Sequence, residues 1–194
     1  MADLSAIIVD DFYDDIDAVR EMAMKLEFGV PGNYPGRRTD PVWTESTKKL
    51  IQDIIRPIAG KITYWPDTYT GAFQYTTSRD RSWIHADSGT TWAGVLYLTP
   101  DAPLSAGTGL YKHKETGHER APINPDGSIN TKLLDEINKD SQDMTKWELV
   151  DRIGNKYNRL ILYRGDLFHM SLDYFGQDIK DGRLFQTFFF STEK

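Results

Sequence analysis

Four histidines occur in this 194-residue chain, and two of them stand where an imidazole can do more than pack. In Trp83-Ile84-His85-Ala86-Asp87, strand alternation predicts His85 and Asp87 on one face, one pleat apart, so that a ring nitrogen and a carboxylate share the same space. Chance produces such a His-x-Asp triplet easily, and alone it decides nothing. Gly165-Asp166-Leu167-Phe168-His169 supplies a second histidine, where a turn leads into an apolar strand. Two imidazoles and one carboxylate from well-separated strands make a facial ligand set for Fe(II), with three coordination positions left open for a cosubstrate and O2. Arg183 then heads the apolar run 184–190. A guanidinium among aromatic rings needs an anion, because burying it unpaired is costly, and a dicarboxylate would accept it bidentately.

The chain can build one core able to hold such a set together: at 22.2 kDa it reads as a single domain over residues 1–194. With 39% hydrophobic and 12% aromatic residues it is too apolar to be disordered. The absence of cysteine removes disulfides, thiolate metal sites and thiol nucleophiles, so any metal must use His and carboxylates. A formal charge of −6 gives no electrostatic reason to bind nucleic acid. Residues 1–11 carry Asp3 and lack the basic and long apolar stretches of a signal peptide, and no run is long enough to span a bilayer. A cytoplasmic protein without a membrane partner is expected.

Residues 1–60 read as a short strand at 6–9 followed by two helices. The first runs from Asp14 or Asp15 as N-cap, with Ile16, Val19, Ala23 and Leu26 on one face, and Gly29 and Pro31 end it. Residues 32–38 read as a turn-rich loop, either solvated or on the substrate side. The second helix, 44–59, has Leu50, Ile51, Ile54, Ile55 and Ile58 as its buried stripe, Pro57 in its last turn and Gly60 as its stop. β-branched and aromatic runs at 61–65, 71–77, 82–87, 91–99 and 107–112 predict strands, resumed at 159–163, 167–172 and 184–191. The stretch 112–158 is polar, with helical patterns at 133–138 and 146–153, and reads as an insertion in a body spanning 61–191. Helices first and strands after favour an α+β chain with an antiparallel sandwich or barrel.

In that order and on strands, His85-x-Asp87, His169 and Arg183 resemble the signature of the Fe(II)/2-oxoglutarate-dependent dioxygenases over roughly residues 64–191. The similarity extends to the prolyl-hydroxylase-like branch through Tyr75, Val95-Leu96-Tyr97-Leu98 and Gly107-Thr108-Gly109-Leu110, and to small bacterial and phage-type members through Val9-Asp10-Asp11-Phe12 and Tyr34-Pro35-Gly36-Arg37. The resemblance implies a double-stranded β-helix of jelly-roll type with the N-terminal helices packed on the sheet. It also implies Fe(II) on His85, Asp87 and His169, and 2-oxoglutarate held by Arg183 with help from Tyr75, Tyr97 or Thr187. The implied reaction is hydroxylation of a C–H bond of a small molecule, amino acid or peptidyl side chain, with O2 consumed and succinate and CO2 released. Asp87 stands where halogenases have a small residue, and Phe189 stands where nucleic-acid demethylases carry a second arginine.

Two other classes remain open at this level. A cupin-like metal protein that does not use 2-oxoglutarate would not need Arg183, and a jelly-roll binding module without metal would not need His169. The same reading assigns His113 and His118 to a solvated charged turn, the ring-rich positions Trp83, Trp92, Trp147 and 188–190 to the core, and Arg37, Arg38 and Arg164 to surface ion pairs.

Overall fold

In the longest strand of the computed structural model, β10 (Arg183–Thr192), Leu184, Phe188 and Phe190 enter one apolar cluster while Phe185 and Phe189 enter another. That split follows from the two-residue period of a strand, and it gives the sheet two faces of different character. The structure describes residues 4–87 and 89–194, so Met1–Asp3, on which the reading of the N-terminus partly falls, lie outside the described residues.

In chain order the elements are β1 (Ala6–Val9), α1 (Ile16–Ala23), β2 (Arg37–Pro41), α2 (Glu45–Ala59), β3 (Ile62–Tyr64), β4 (Ala72–Thr76), β5 (Trp92–Tyr97), β6 (Thr108–His113), α3 (Thr131–Lys139), β7 (Trp147–Ile153), β8 (Leu160–Arg164), β9 (His169–Ser171) and β10. A seven-stranded antiparallel sheet has the order β1-β8-β5-β10-β4-β2, with β3 on the far end of β10. A second sheet of three strands, β7-β6-β9, packs against it: Leu110 and Ile153 share a cluster with Val95, Tyr97, Ile161 and Phe185 of the large sheet. The two sheets face each other, and the described strands do not close into one barrel.

Helices α1 and α2 cover the other face of the large sheet, packing Ala23, Ile51, Ile55 and Ala59 on Phe73, Leu96, Leu162 and Phe188. Asp15 caps α1 by accepting from the Ala18 N–H, and Thr44 caps α2 by accepting from the Thr47 N–H. The buried stripe of α2 is Thr47, Ile51, Ile55 and Ala59, whereas Leu50 and Ile58 are exposed, so the apolar face predicted from the sequence is narrower than its isoleucines suggest. Helix α3 covers the outside of the small sheet, with Ile137 against Trp147 and Phe168. No helix among the described residues is long and apolar enough to cross a membrane.

Three expectations need correction. Residues 146–153 form strand β7, paired with β6 along its length: Trp147, Val150 and Ile153 mimic a helical spacing, but 148–152 is an exposed strand. The segment 112–158 therefore builds one of the two sheets and its covering helix, and is not an appendage. Residues 37–41 form β2, paired with β4, where the sequence reading had a loop ending at 38.

Candidate metal centre

His85 lies outside any regular strand, in a single antiparallel bridge with His169. The predicted strand 82–87 is thus replaced by one pair of mutual hydrogen bonds: the His85 N–H donates to the His169 carbonyl at 3.1 Å, and the His169 N–H to the His85 carbonyl at 2.8 Å. The Asp87 N–H donates to the Gly165 carbonyl at 2.7 Å, which draws the turn after β8 against the carboxylate. These backbone bonds fix the three side chains more firmly than a pleat could across such a short segment.

The His85 Nε2 is 3.8 Å from Asp87 Oδ1, and the His169 Nε2 is 3.5 Å from Asp87 Oδ2. One ligand atom from each of the three lies within 4.8 Å of the others. Both rings are aimed by backbone carbonyls, His85 Nδ1 on Trp83 O at 3.0 Å and His169 Nδ1 on Leu167 O at 2.8 Å. A carbonyl only accepts, so in the neutral rings Nδ1 carries the proton and Nε2 presents its lone pair to the centre. Burial, reinforced by the neighbouring His85, pulls His169 down to about 4, which keeps it neutral at ordinary pH. Asp87 Oδ2 is buried without a hydrogen-bond partner among the described residues. A buried carboxylate oxygen facing two imidazole lone pairs fits a cation.

The three ligands open on a cavity of about 620 Å³ between the sheets. On its wall, Arg183 is 1% exposed; its Nε donates to the Ala106 carbonyl at 3.1 Å, and its Nη1 has no partner among the described residues. Its guanidinium lies 4.4 Å from the Phe185 ring centre and 5.3 Å from that of Tyr97. Thr76, its cross-strand neighbour on β4, also buries a hydroxyl without a partner there. Unpaired buried donors in this wall fit a carboxylate ligand such as the distal group of 2-oxoglutarate.

The other predicted cosubstrate residues fall in different places. Thr187 lines the cavity, but its hydroxyl is engaged with the Tyr69 and Ala72 carbonyls. Tyr97 is fully buried beside Arg183 and bonds Thr108 Oγ1 at 2.8 Å, so the hydroxyl that reaches the cavity wall is that of Thr108, a residue the sequence reading did not single out for this role. Tyr75 points to the opposite face of the sheet, edge-on to Phe28 in the helix-side core, and is not brought to the site. Its even neighbour Gln74 faces the cavity instead.

Arg38 is the largest departure from the sequence reading. It is 7% exposed, forms no ion pair among the described residues, and lines the cavity. Its Nε donates to Gln74 Oε1 at 2.9 Å, with Nη2 on the same oxygen, and Gln74 is itself held by donating Nε2 to the Pro35 carbonyl at 2.6 Å. Gly36, at φ +75°, lets the chain pass so close to β4 that a Cβ there would meet the Tyr75 carbonyl oxygen at 2.0 Å. The signal in the sequence was the pairing of turn residues with two consecutive arginines; what it lacked was any local mark of burial. Arg37 is exposed and Arg164 stacks over Trp92 at 5.3 Å, neither in an ion pair among the described residues. His113, expected in a solvated turn, is 2% exposed, held by Thr116 and by Asp140 at 3.0 Å, and serves the packing of α3.

Residues 2–190 match the model of DUF6445, described as a family of unknown function. No curated protein matches the sequence. Among solved structures, HygX from Streptomyces hygroscopicus with nickel, 2-oxoglutarate and hygromycin B bound is similar, with a TM-score of 0.59 at 10% identity over 94% of this chain and 81% of that one. A prolyl hydroxylase from Trichoplax adhaerens, in complex with a hypoxia inducible factor oxygen degradation domain peptide fragment, reaches 0.54 at 13% identity, covering 97% of this chain and 84% of that one. At such identities the likeness is one of fold.

Proposed function

We propose that this chain, which belongs to the DUF6445 family, is an Fe(II)/2-oxoglutarate-dependent oxygenase that hydroxylates a C–H bond of a small molecule, an amino acid or a peptidyl side chain, releasing succinate and CO2. The observation that carries the reading is one cavity holding both halves of the machinery: His85, Asp87 and His169 converging at one point, and the unpaired Arg183 in the same wall. HygX and prolyl hydroxylase, whose fold this chain shares, support it.

In this reading His85, Asp87 and His169 hold Fe(II), and Asp87 offsets one of its charges. The bound iron supplies O2 activation coupled to decarboxylation of 2-oxoglutarate. Arg183 receives the distal carboxylate, oriented by its bond to Ala106 and by the rings of Phe185 and Tyr97. Thr108, positioned by Tyr97, offers a further hydroxyl on that wall. Tyr163, whose ring centre is 4.7 Å from that of His169, fixes the imidazole from the sheet side; burial raises its phenol well above the ordinary tyrosine range and keeps it neutral.

The test is succinate formation by purified protein given Fe(II), O2 and 2-oxoglutarate. Slow turnover without substrate is expected in the wild type and none in His169→Ala. Absence of turnover in the wild type under any metal loading contradicts the reading, and so does equal turnover in the variant.

A further inference from the structure

Two guanidiniums line the cavity, and only one of them has work to do in holding 2-oxoglutarate. Arg183 sits on β10 and Arg38 on β2, with β4 between them in the sheet. The two guanidiniums are anchored to different partners, Arg38 to Gln74 beside Tyr34 and Tyr69, and Arg183 to the Ala106 carbonyl beside Tyr97 and Phe185, so they offer two separate anion positions. We propose that Arg38 receives a carboxylate of the substrate, and hence that the substrate presents a free carboxylate. This deepens the oxygenase reading and rests on it.

The geometry around Arg38 leaves one edge of the guanidinium for a ligand. The Nε/Nη2 edge is spent on Gln74 Oε1. Two aromatic rings flank it, Tyr34 at 3.8 Å and Tyr69 at 4.7 Å from the guanidinium carbon. What remains is the end-on fork of Nη1 and Nη2, which has no carboxylate within ion-pair distance among the described residues and feels Asp87 across the cavity, in a side chain that is 7% exposed. The rings are themselves held in place: the Tyr34 hydroxyl donates to the Val30 carbonyl, and the Tyr34 and Tyr69 rings meet edge to face at 5.9 Å. A planar cation largely buried in the cavity wall, clamped on one edge and open on the other, is preorganised for a planar anion.

Charge balance agrees. Asp87 is the one carboxylate among the described residues lining the cavity, against Arg38 and Arg183. A divalent metal on Asp87 leaves one positive charge and the two arginines add two. The cosubstrate dianion removes two, so one positive charge is left in the pocket. A monocarboxylate substrate neutralises it; a neutral or cationic group at that position leaves a buried charge unpaired. Burial lowers the Arg38 guanidinium to about 10, so it stays charged at neutral pH.

The experiment uses the protein loaded with Ni(II) and 2-oxoglutarate, whose binding is measured first by calorimetry. Binding of phenylacetate, N-acetyl-L-proline, N-acetyl-L-leucine and N-acetyl-L-phenylalanine, each a monoanion, is then compared with that of their primary amides. At least one acid is expected to bind, with its amide about ten- to hundredfold weaker, the worth of a charge-assisted hydrogen-bonded contact. Arg38→Gln should erase this preference while leaving the affinity for 2-oxoglutarate unchanged. Arg38→Lys, which keeps the charge and loses the fork, should retain part of it and serves where the glutamine variant does not fold. The proposal is overturned if no acid binds the wild type, if amides bind as well as acids, if the preference survives Arg38→Gln, or if either Arg38 variant loses 2-oxoglutarate. Failure of 2-oxoglutarate to bind the Ni(II)-loaded wild type instead strikes the oxygenase reading itself.

Discussion

The two faces of the seven-stranded sheet come from the same strands and spend their residues differently. On β10, Leu184, Phe188 and Phe190 meet α1 and α2 in a packed core. The polar residue on that side, Gln186, is fully satisfied: its amide donates to the Val42 and Gly71 carbonyls and its oxygen accepts from the Tyr13 hydroxyl. One residue over, Arg183 and Thr187 face a cavity, and Arg183 keeps an unpaired donor in a buried setting. Along β10 the polar side chain of the helix face closes its hydrogen bonds internally, with Trp65 Nε1 the one buried donor left open in that cluster among the described residues, whereas the cavity face leaves a charged donor open, which is what a ligand needs and what stability alone would remove.

That contrast can be broken most severely from the helix side. Phe188→Ala is expected to cost about 3–5 kcal/mol of unfolding free energy in urea, through the cavity it leaves beneath α2. Arg183→Met is expected to act in the opposite sense on the ligand-free protein, leaving its stability unchanged or higher because an unpaired buried charge is removed, while weakening 2-oxoglutarate by about 2–5 kcal/mol in calorimetry. A ligand-free Arg183→Met protein as damaged as Phe188→Ala would show that the two faces do not differ as argued. Gln186→Leu should cost about 1–3 kcal/mol, since it removes a buried partner from the Val42 carbonyl and one of the two partners that the Gly71 carbonyl and the Tyr13 hydroxyl each have.

The smallest effect lies outside both faces. Asp10 bridges Arg159 at 2.6 Å and Lys156 at 2.9 Å, and these two cations hold its carboxyl well below the usual carboxylate range. A carboxyl depressed in the folded state stabilises above its unfolded pKa, and that contribution is lost as pH falls towards the folded value. The bridge is largely exposed, so Asp10→Asn should cost no more than about 1 kcal/mol at pH 7, less in high salt, and the difference should shrink as pH drops below about 4. Urea unfolding of both proteins across pH 3–7 reads this directly.

The sequence carried the helix face more plainly than the cavity face, for physical reasons. Caps at Asp15 and Thr44 are local, and the continuous apolar runs of β5 and β10 follow from burial on both sides. Strand β2, Arg-Arg-Thr-Asp-Pro, has no apolar residue, because what it buries it buries against Gln74, Tyr34 and Tyr69, contacts that no window of sequence contains. Tyr75 and Gln74 show the same limit, since a one-residue difference in register decides which of them meets the cavity. His113 reads as solvated in its charged surroundings, and is buried by Trp147 and by Asp140 from beyond α3. His85, Asp87 and His169 could be singled out from the His-x-Asp spacing and from a histidine leading an apolar strand, although the regular strand expected to carry His85 is a lone bridge to His169.

The most direct measurement is an anaerobic titration of Fe(II) into the protein with 2-oxoglutarate present, followed by visible absorption. A charge-transfer band that saturates at about one equivalent of iron, consistent with a single three-ligand site, is expected in the wild type and should vanish in His169→Ala that retains its circular dichroism. No band in the wild type, or an undiminished band in the variant, would contradict the placing of the metal on His85, Asp87 and His169.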